Sequence, residues 1–254
     1  MKEFFIEGRT LPEVYHKALV MLEKNGEIVD CPDYDQLQKE CTMTMHIEEP
    51  LAEEMISKLL ICGPKELRQY EFEILDGILD FVIGKSENLW EYTYHNRFVH
   101  WLDFVIADLQ REKYSRRAAI SIRDNEIDSQ TTHPACLQNI QFFIRNEKLD
   151  MCVLFRSRDL PEAWFMNAFA LIKLQSRIAD ELGVPVGTYS DRSNSCHAYE
   201  KNFGLLEGYV RKIETEPFEE TVYPYKGFFE DMMAEYDQEI ADMVAKKKEQ
   251  YGVG

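Results

Sequence analysis

The chain has 254 residues, 45% of them hydrophobic and 12% aromatic, which supplies a sizeable core and excludes a disordered polypeptide. With 46 acidic against 29 basic side chains its net charge is −17, which disfavours DNA and other nucleic-acid backbones but not a small anion held by clustered arginines. No apolar run reaches membrane-spanning length and the start, MKEFFIEGRT, lacks a signal-peptide core, so the expectation is a cytoplasmic protein with no membrane partner.

The first expected element is a helix opening at Thr10. Thr10 and Glu13 have capping-box spacing, Pro12 suits a first turn, and Gly26 follows the last periodic residue. Leu11, Val14, Ala18, Leu19 and Leu22 form its apolar stripe. Cys41 to Ile47 alternates like a half-buried strand. A second helix runs from Gly63-Pro64 to Asp76-Gly77, EYTYHNRF reads as strand or loop, and VHWLDFVIADLQREK reads as a helix with Trp101, Phe104, Val105 and Leu109 on one face. RRAAISIR is a short strand. Leu137 to Arg145 and Leu149 to Ser157 are two more, joined by Asn146-Glu147-Lys148 as a hairpin. Pro161 to Leu182 is a largely apolar, central helix, and Val184 to Tyr189 returns to strand. Phe228 to Lys248 closes the chain as a helix, acidic first and basic last, in keeping with the helix dipole. With no linker or repeat, one domain spanning 1–254 is expected.

Several familiar chemistries lack support in the sequence. Gly84-Lys85-Ser86 lacks the glycine that a phosphate-binding loop needs at position 79, which is Leu79. The six cysteines include no CxxC, and Cys196-His197 matches no usual ligand spacing, so reduced thiols and no metal are expected. A Cys136/His133 or Cys136/His197 protease pairing has no local pattern behind it.

Three stretches carry a stronger signal together. Tyr114-Ser115-Arg116-Arg117 opens a strand. Pro134-Ala135-Cys136 precedes another, with Gln141 five residues beyond the cysteine. Phe155-Arg156-Ser157-Arg158-Asp159 ends a third and is followed by Asn167 and then His197-Ala198-Tyr199. Taken alone, Cys136 would be a small core hydrophobe. In this order and spacing the three stretches resemble the thymidylate synthase family, most firmly from about residue 92 to residue 199, and look more like its archaeal members.

The resemblance implies an α/β (α+β) fold, a mixed β-sheet layered with helices, and homodimer packing through the sheet. It implies reductive methylation of dUMP to dTMP, with Cys136 as the nucleophile at C6 of the pyrimidine and Arg156 touching both sulfur and phosphate. A guanidinium near a thiol favours the thiolate. Arg156 and Ser157 would bind phosphate from one subunit, and Arg116 and Arg117 from the other, since guanidinium forks suit phosphate oxygens. Gln141 joins the substrate-binding set. Asn167 would read the uracil edge, because an amide both accepts from N3–H and donates to O4. His197 and Tyr199 would bind the sugar hydroxyl and Asp159 the pterin ring. Glu73, with Glu71 as alternative, would assist proton transfer, and Tyr94, with Tyr92 as rival, removal of the C5 proton.

The resemblance is incomplete. Leu137 stands where commoner members have histidine, Ala163 where they have glycine, and Ser190-Asp191-Arg192-Ser193-Asn194 where they have Gly-Gly-Asp. Trp90 and Trp101 match the tryptophan-rich carrier segment poorly. The carrier is therefore either 5,10-methylene-tetrahydrofolate or a methylene-tetrahydromethanopterin-type relative. A dUMP or dCMP hydroxymethylase on the same scaffold, and a non-catalytic nucleotide- or RNA-binding regulator, are the alternatives.

Overall fold

The computed structural model describes residues 1–85 and 91–253, so Trp90 and the Ser86 of the rejected phosphate-loop triplet lie outside the described residues. The chain begins with β1 (Glu3–Gly8), α1 (Leu11–Asn25), β2 (Glu27–Cys31), β3 (Gln36–Ile47), β4 (Ile56–Ser57) and α2 (Pro64–Asp76). Then come α3 (Tyr94–Phe98), α4 (Leu102–Arg111), β5 (Ala119–Ser121), α5 (Asn125–Asp128), β6 (Leu137–Arg145) and β7 (Lys148–Asp159). The last third holds α6 (Phe165–Leu182), β8 (Val186–Tyr199), α7 (Phe203–Thr215), β9 (Val222–Tyr223), α8 (Glu230–Ala234) and α9 (Asp237–Gln250).

The main sheet runs β1-β3-β8-β7-β6-β5, with β2 paired to the start of β3. It is mixed, as expected: β1/β3 and β7/β8 are parallel, and the other pairs antiparallel. Period-two alternation buries Met43, Met45, Met151, Val153, Phe155, Ile140 and Phe142 on one face. Thr44, His46, Asn139, Gln141, Cys152, Leu154, Ser190 and Arg192 alternate with them and are only partly buried. Helix α6 is apolar nearly all round because it is central; its buried Gln175 donates to the Leu149 and Thr188 carbonyls at 2.7 and 2.9 Å, tying β7 to β8. Ladder irregularities at Cys41/Met43 and Leu137/Asn139 bend the sheet, the second of them beside Cys136.

Helix α1 starts at Thr10, whose hydroxyl accepts from the Glu13 amide at 3.3 Å, and its expected stripe is buried. The β6–β7 hairpin has a two-residue turn in which Asn146 (φ 50°) and Glu147 (φ 64°) are both left-handed, the primed geometry that matches strand twist.

Other expectations are corrected. Tyr94–Phe98 is helical, because Thr93 caps it by accepting from the Asn96 amide at 3.0 Å. Trp101 and Phe104 are 54% and 46% exposed, so the buried stripe of α4 is Val105, Ile106 and Leu109. Strand β8 continues through Tyr199 rather than ending at Tyr189, and RRAAISIR contributes only Ala119–Ser121 to the ladder. The helix expected from Pro161 begins with a π-helical turn, Leu160–Trp164, and the closing helix is interrupted between Ala234 and Asp237.

Gly77 ends α2 in the left-handed region (φ 59°), where a Cβ would overlap the His95 ring and the Asp80 carboxylate. Asp80 bonds His95 Nδ1 at 2.7 Å and also accepts from the Thr93 hydroxyl, so it fixes the entry to α3. Gly77→Ala is expected to lower the unfolding free energy by about 2 kcal/mol or more in urea titration. A loss below about 0.5 kcal/mol would show that this junction tolerates displacement.

Candidate active site

Cys136 sits on the loop entering β6 and is a half-buried free thiol between fully buried Ala135 and Leu137. The loop is held from β7. The Arg156 amide donates to the Cys136 carbonyl at 2.9 Å, and its guanidinium donates through Nε to the Ala135 carbonyl (3.1 Å) and through Nη2 to the Pro134 carbonyl (2.6 Å). Gln138 Nε2 also donates to the Ala135 carbonyl at 2.6 Å. Nη1 of Arg156 donates to no protein atom among the described residues, which leaves it for an anion.

Beside the loop lies a cavity of about 260 Å³ walled by Tyr70, Glu73, Tyr92, Tyr94 and His133. Tyr70 and Glu73 are three apart on α2 and so share a helix face. Burial raises the Glu73 carboxyl, whose oxygen accepts from Gln69 Nε2 at 2.7 Å. Burial also raises the Tyr92 phenol, and the nearby Cys136 sulfur adds to the effect. The Tyr94 oxygen accepts from the Leu137 amide at 3.4 Å, and the Tyr92 and Tyr94 rings are 5.6 Å apart. Asn167, buried on α6, donates to the Tyr70 oxygen at 2.5 Å. Glu71 lies elsewhere, paired with Arg68 at 2.9 Å, and Arg68 in turn forks onto Asp237 of α9. Between the two candidate carboxylates, the cavity therefore holds Glu73.

Further site residues cluster at the ends of β7 and β8, where Asp159 is in register with His197 and Ser157 with Ser195. Asp159 Oδ1 accepts from the Glu162 amide at 3.0 Å, capping the π-helical turn, whereas Oδ2 is buried without a partner. Burial pushes the Asp159 carboxyl up to about 7. Nε2 of His197 is likewise buried and unpartnered, burial lowers the pKa of its ring, and it meets Tyr199 edge-on at 4.7 Å. Buried polar atoms are nearly always satisfied, so these two orphans on adjacent strand ends are candidate positions for a ligand's polar groups.

The thymidylate synthase family model matches residues 63–233. The chain belongs to the thymidylate synthase family. Two archaeal proteins carrying the name "Putative thymidylate synthase" are similar over most of their length. The one from Methanocaldococcus jannaschii is 30% identical over 212 residues, 80% of this chain and 95% of that protein. The one from Methanosarcina barkeri is 25% identical over 214 residues, 82% and 95% of the two chains. Among solved structures, thermostable thymidylate synthase A from Bacillus subtilis superposes with a TM-score of 0.65 at 17% identity, covering 82% of this chain and 86% of that one, which establishes the shared fold.

Of the residues implied by the thymidylate synthase resemblance, Glu73, Tyr92 and Tyr94 wall the cavity, whereas Cys136, Arg156, Ser157, Asp159, Asn167, His197, Tyr199, Arg116, Arg117 and Gln141 do not line it. Arg116 and Arg117 are exposed; Arg117 reaches Asp108 at 3.2 Å, and Arg116 has no side-chain partner among the described residues. Gln141 donates to the Arg116 carbonyl at 3.0 Å and so braces the arginine pair rather than walling the cavity. Sequence reasoning missed Tyr70, whose signal was its i−3 spacing from Glu73, and gave His133 no role in this site. No helix among the described residues is long and apolar enough to cross a membrane.

Proposed function

We propose that the chain is a thymidylate synthase that converts dUMP to dTMP. The observation that carries this reading is Cys136: a half-buried thiol on a loop clamped by Arg156, near Tyr92, which with Glu73 and Tyr94 walls the adjoining cavity. Cys136 as thiolate adds to C6 of the uracil ring, moving the ring's electron pair to C5 and its carbonyl and turning one difficult substitution into easier steps. Arg156, with Ser157, takes the phosphate through its free N–H groups. Asn167 bonds the uracil edge once Tyr70 yields the amide, and His197 and Tyr199 take the sugar hydroxyl.

The methylene-tetrahydropterin carrier, of the folate or the methanopterin type, supplies the one-carbon unit and, for a methyl product, the hydride. The orphaned Asp159 Oδ2 fits the N–H donors of a pterin ring. Glu73 exchanges the proton at the substrate carbonyl, where its raised pKa suits it. Exposed Arg116 and Arg117 reach the phosphate of a second copy, and the partly buried sheet face of Thr44, Leu154 and Arg192 packs the homodimer. Incubation with dUMP and each methylene-pterin should give dTMP by mass; 5-hydroxymethyl-dUMP as the sole product would overturn the reading.

A carboxyl that must accept N–H groups binds best ionised. The carrier KM is therefore expected to fall as pH rises from 6 to 8, through the Asp159 value of about 7. Asp159→Asn should remove that pH dependence and raise the carrier KM by about tenfold or more. The sign for stability is opposite: the folded state holds this proton above the ordinary carboxylate range, so the contribution from Asp159 weakens as pH rises through about 7.

A further inference from the structure

We infer that His133 is the proton-exchange residue of the cavity beside Cys136, connecting its half-buried carboxyl and phenols to solvent; the inference rests on the dUMP reading above. Among the walls of this cavity, Glu73, Tyr92 and Tyr94 are all groups whose neutral forms are favoured by burial. They hold protons well and are each only partly exposed. His133 is exposed and contributes the cavity's one imidazole, the side chain that both takes up and releases protons under physiological conditions.

The position is mechanically defined. His133 is covalently joined to Pro134, whose carbonyl is held by Arg156 Nη2 at 2.6 Å, and Cys136 is three residues along the same clamped segment. The residue directly after the cysteine offers no substitute, since Leu137 is fully buried in the core. Methylation breaks the C5–H bond. Its electron pair stays with the pyrimidine and its proton has to leave the site. His133 accepts that proton on a ring nitrogen and releases it to bulk water, ending the cycle unchanged.

The test is His133→Gln, a substitution at an exposed loop position. With dUMP and a methylene-pterin, kcat is expected to fall by about 10²-fold while the dUMP KM stays within about twofold. Free imidazole, able to enter from the solvent side, should restore kcat. 5-Fluoro-dUMP carries fluorine in place of the C5 proton, so no proton has to leave C5 and His133→Gln should form the covalent adduct as fully as the parent chain. A variant kcat within about threefold of the parent overturns the inference, as does a loss that imidazole does not restore or a variant that fails to form the fluorinated adduct. If the parent chain itself converts no dUMP, the thymidylate synthase reading falls first and takes this inference with it.

Discussion

Cys136→Ser is expected to abolish the covalent complex with 5-fluoro-dUMP and carrier, and to lower dTMP formation by at least about 10⁴-fold. Fluorine cannot leave C5 as a proton does, so the parent chain should accumulate a ternary adduct whose mass maps to the peptide holding Cys136. The other five thiols have physical reasons to be inert. Burial raises Cys31 and Cys152, and pushes Cys62 up to about 12. Cys41 and Cys196 are fully enclosed and face one another across β3 and β8. Because a serine hydroxyl fills nearly the same space, dUMP affinity is expected to stay within about tenfold and stability within about 1 kcal/mol. An adduct on any other cysteine, or none with either type of methylene-pterin, would dispose of the proposed mechanism.

The order Arg116-Arg117, Cys136, Arg156-Ser157, Asp159, Asn167, His197 and Tyr199 made the family readable before any coordinate, because the proposed nucleophile and anion contacts lie at or on successive sheet strands and keep their order along the chain. The hairpin followed from alternation and from one polar link, and the mixed sheet from the family resemblance. Where reading by apolar period failed, the cause was polar burial. Strand β8 extends across SDRSNSCHAY, a run without apolar alternation, because its inward positions Asp191, Ser193 and His197 are buried polar groups. Tyr94 begins a helix because Asp80, fourteen residues earlier, anchors Thr93 and His95, a contact that local propensity does not encode. The choice between Glu71 and Glu73 had the same character. Both are acidic residues on α2, and only the tertiary ion pair of Arg68 with Glu71 and Asp237 separates a structural carboxylate from the one in the cavity.

The largest loss of stability is expected from Arg158→Met. Arg158, set between Ser157 and Asp159 on β7, is buried, lies 3.1 Å from the centre of the Phe155 ring, and donates to Asp191 of β8 at 2.9 Å. Asp191 also accepts from the Tyr189 hydroxyl at 3.1 Å, so Arg158, Asp191 and Tyr189 form a polar cluster inside the sheet, in which Arg158 Nε has no partner among the described residues. Burial raises the Asp191 carboxyl and the guanidinium opposes that rise. Removing the guanidinium leaves a buried, uncompensated acid, which costs about 3–5 kcal/mol and should lower Tm by roughly 6–20 °C. The consequence reaches the cavity, because Arg158 is among the positive charges that favour ionisation of Tyr70 and Tyr94; without it both phenols shift further upward. Arg158→Met with Asp191→Leu removes both charges and should regain most of the lost stability. If the double variant is no more stable than Arg158→Met alone, the guanidinium acts through its packing on Phe155, and the ion pair is not what holds the ends of β7 and β8 together.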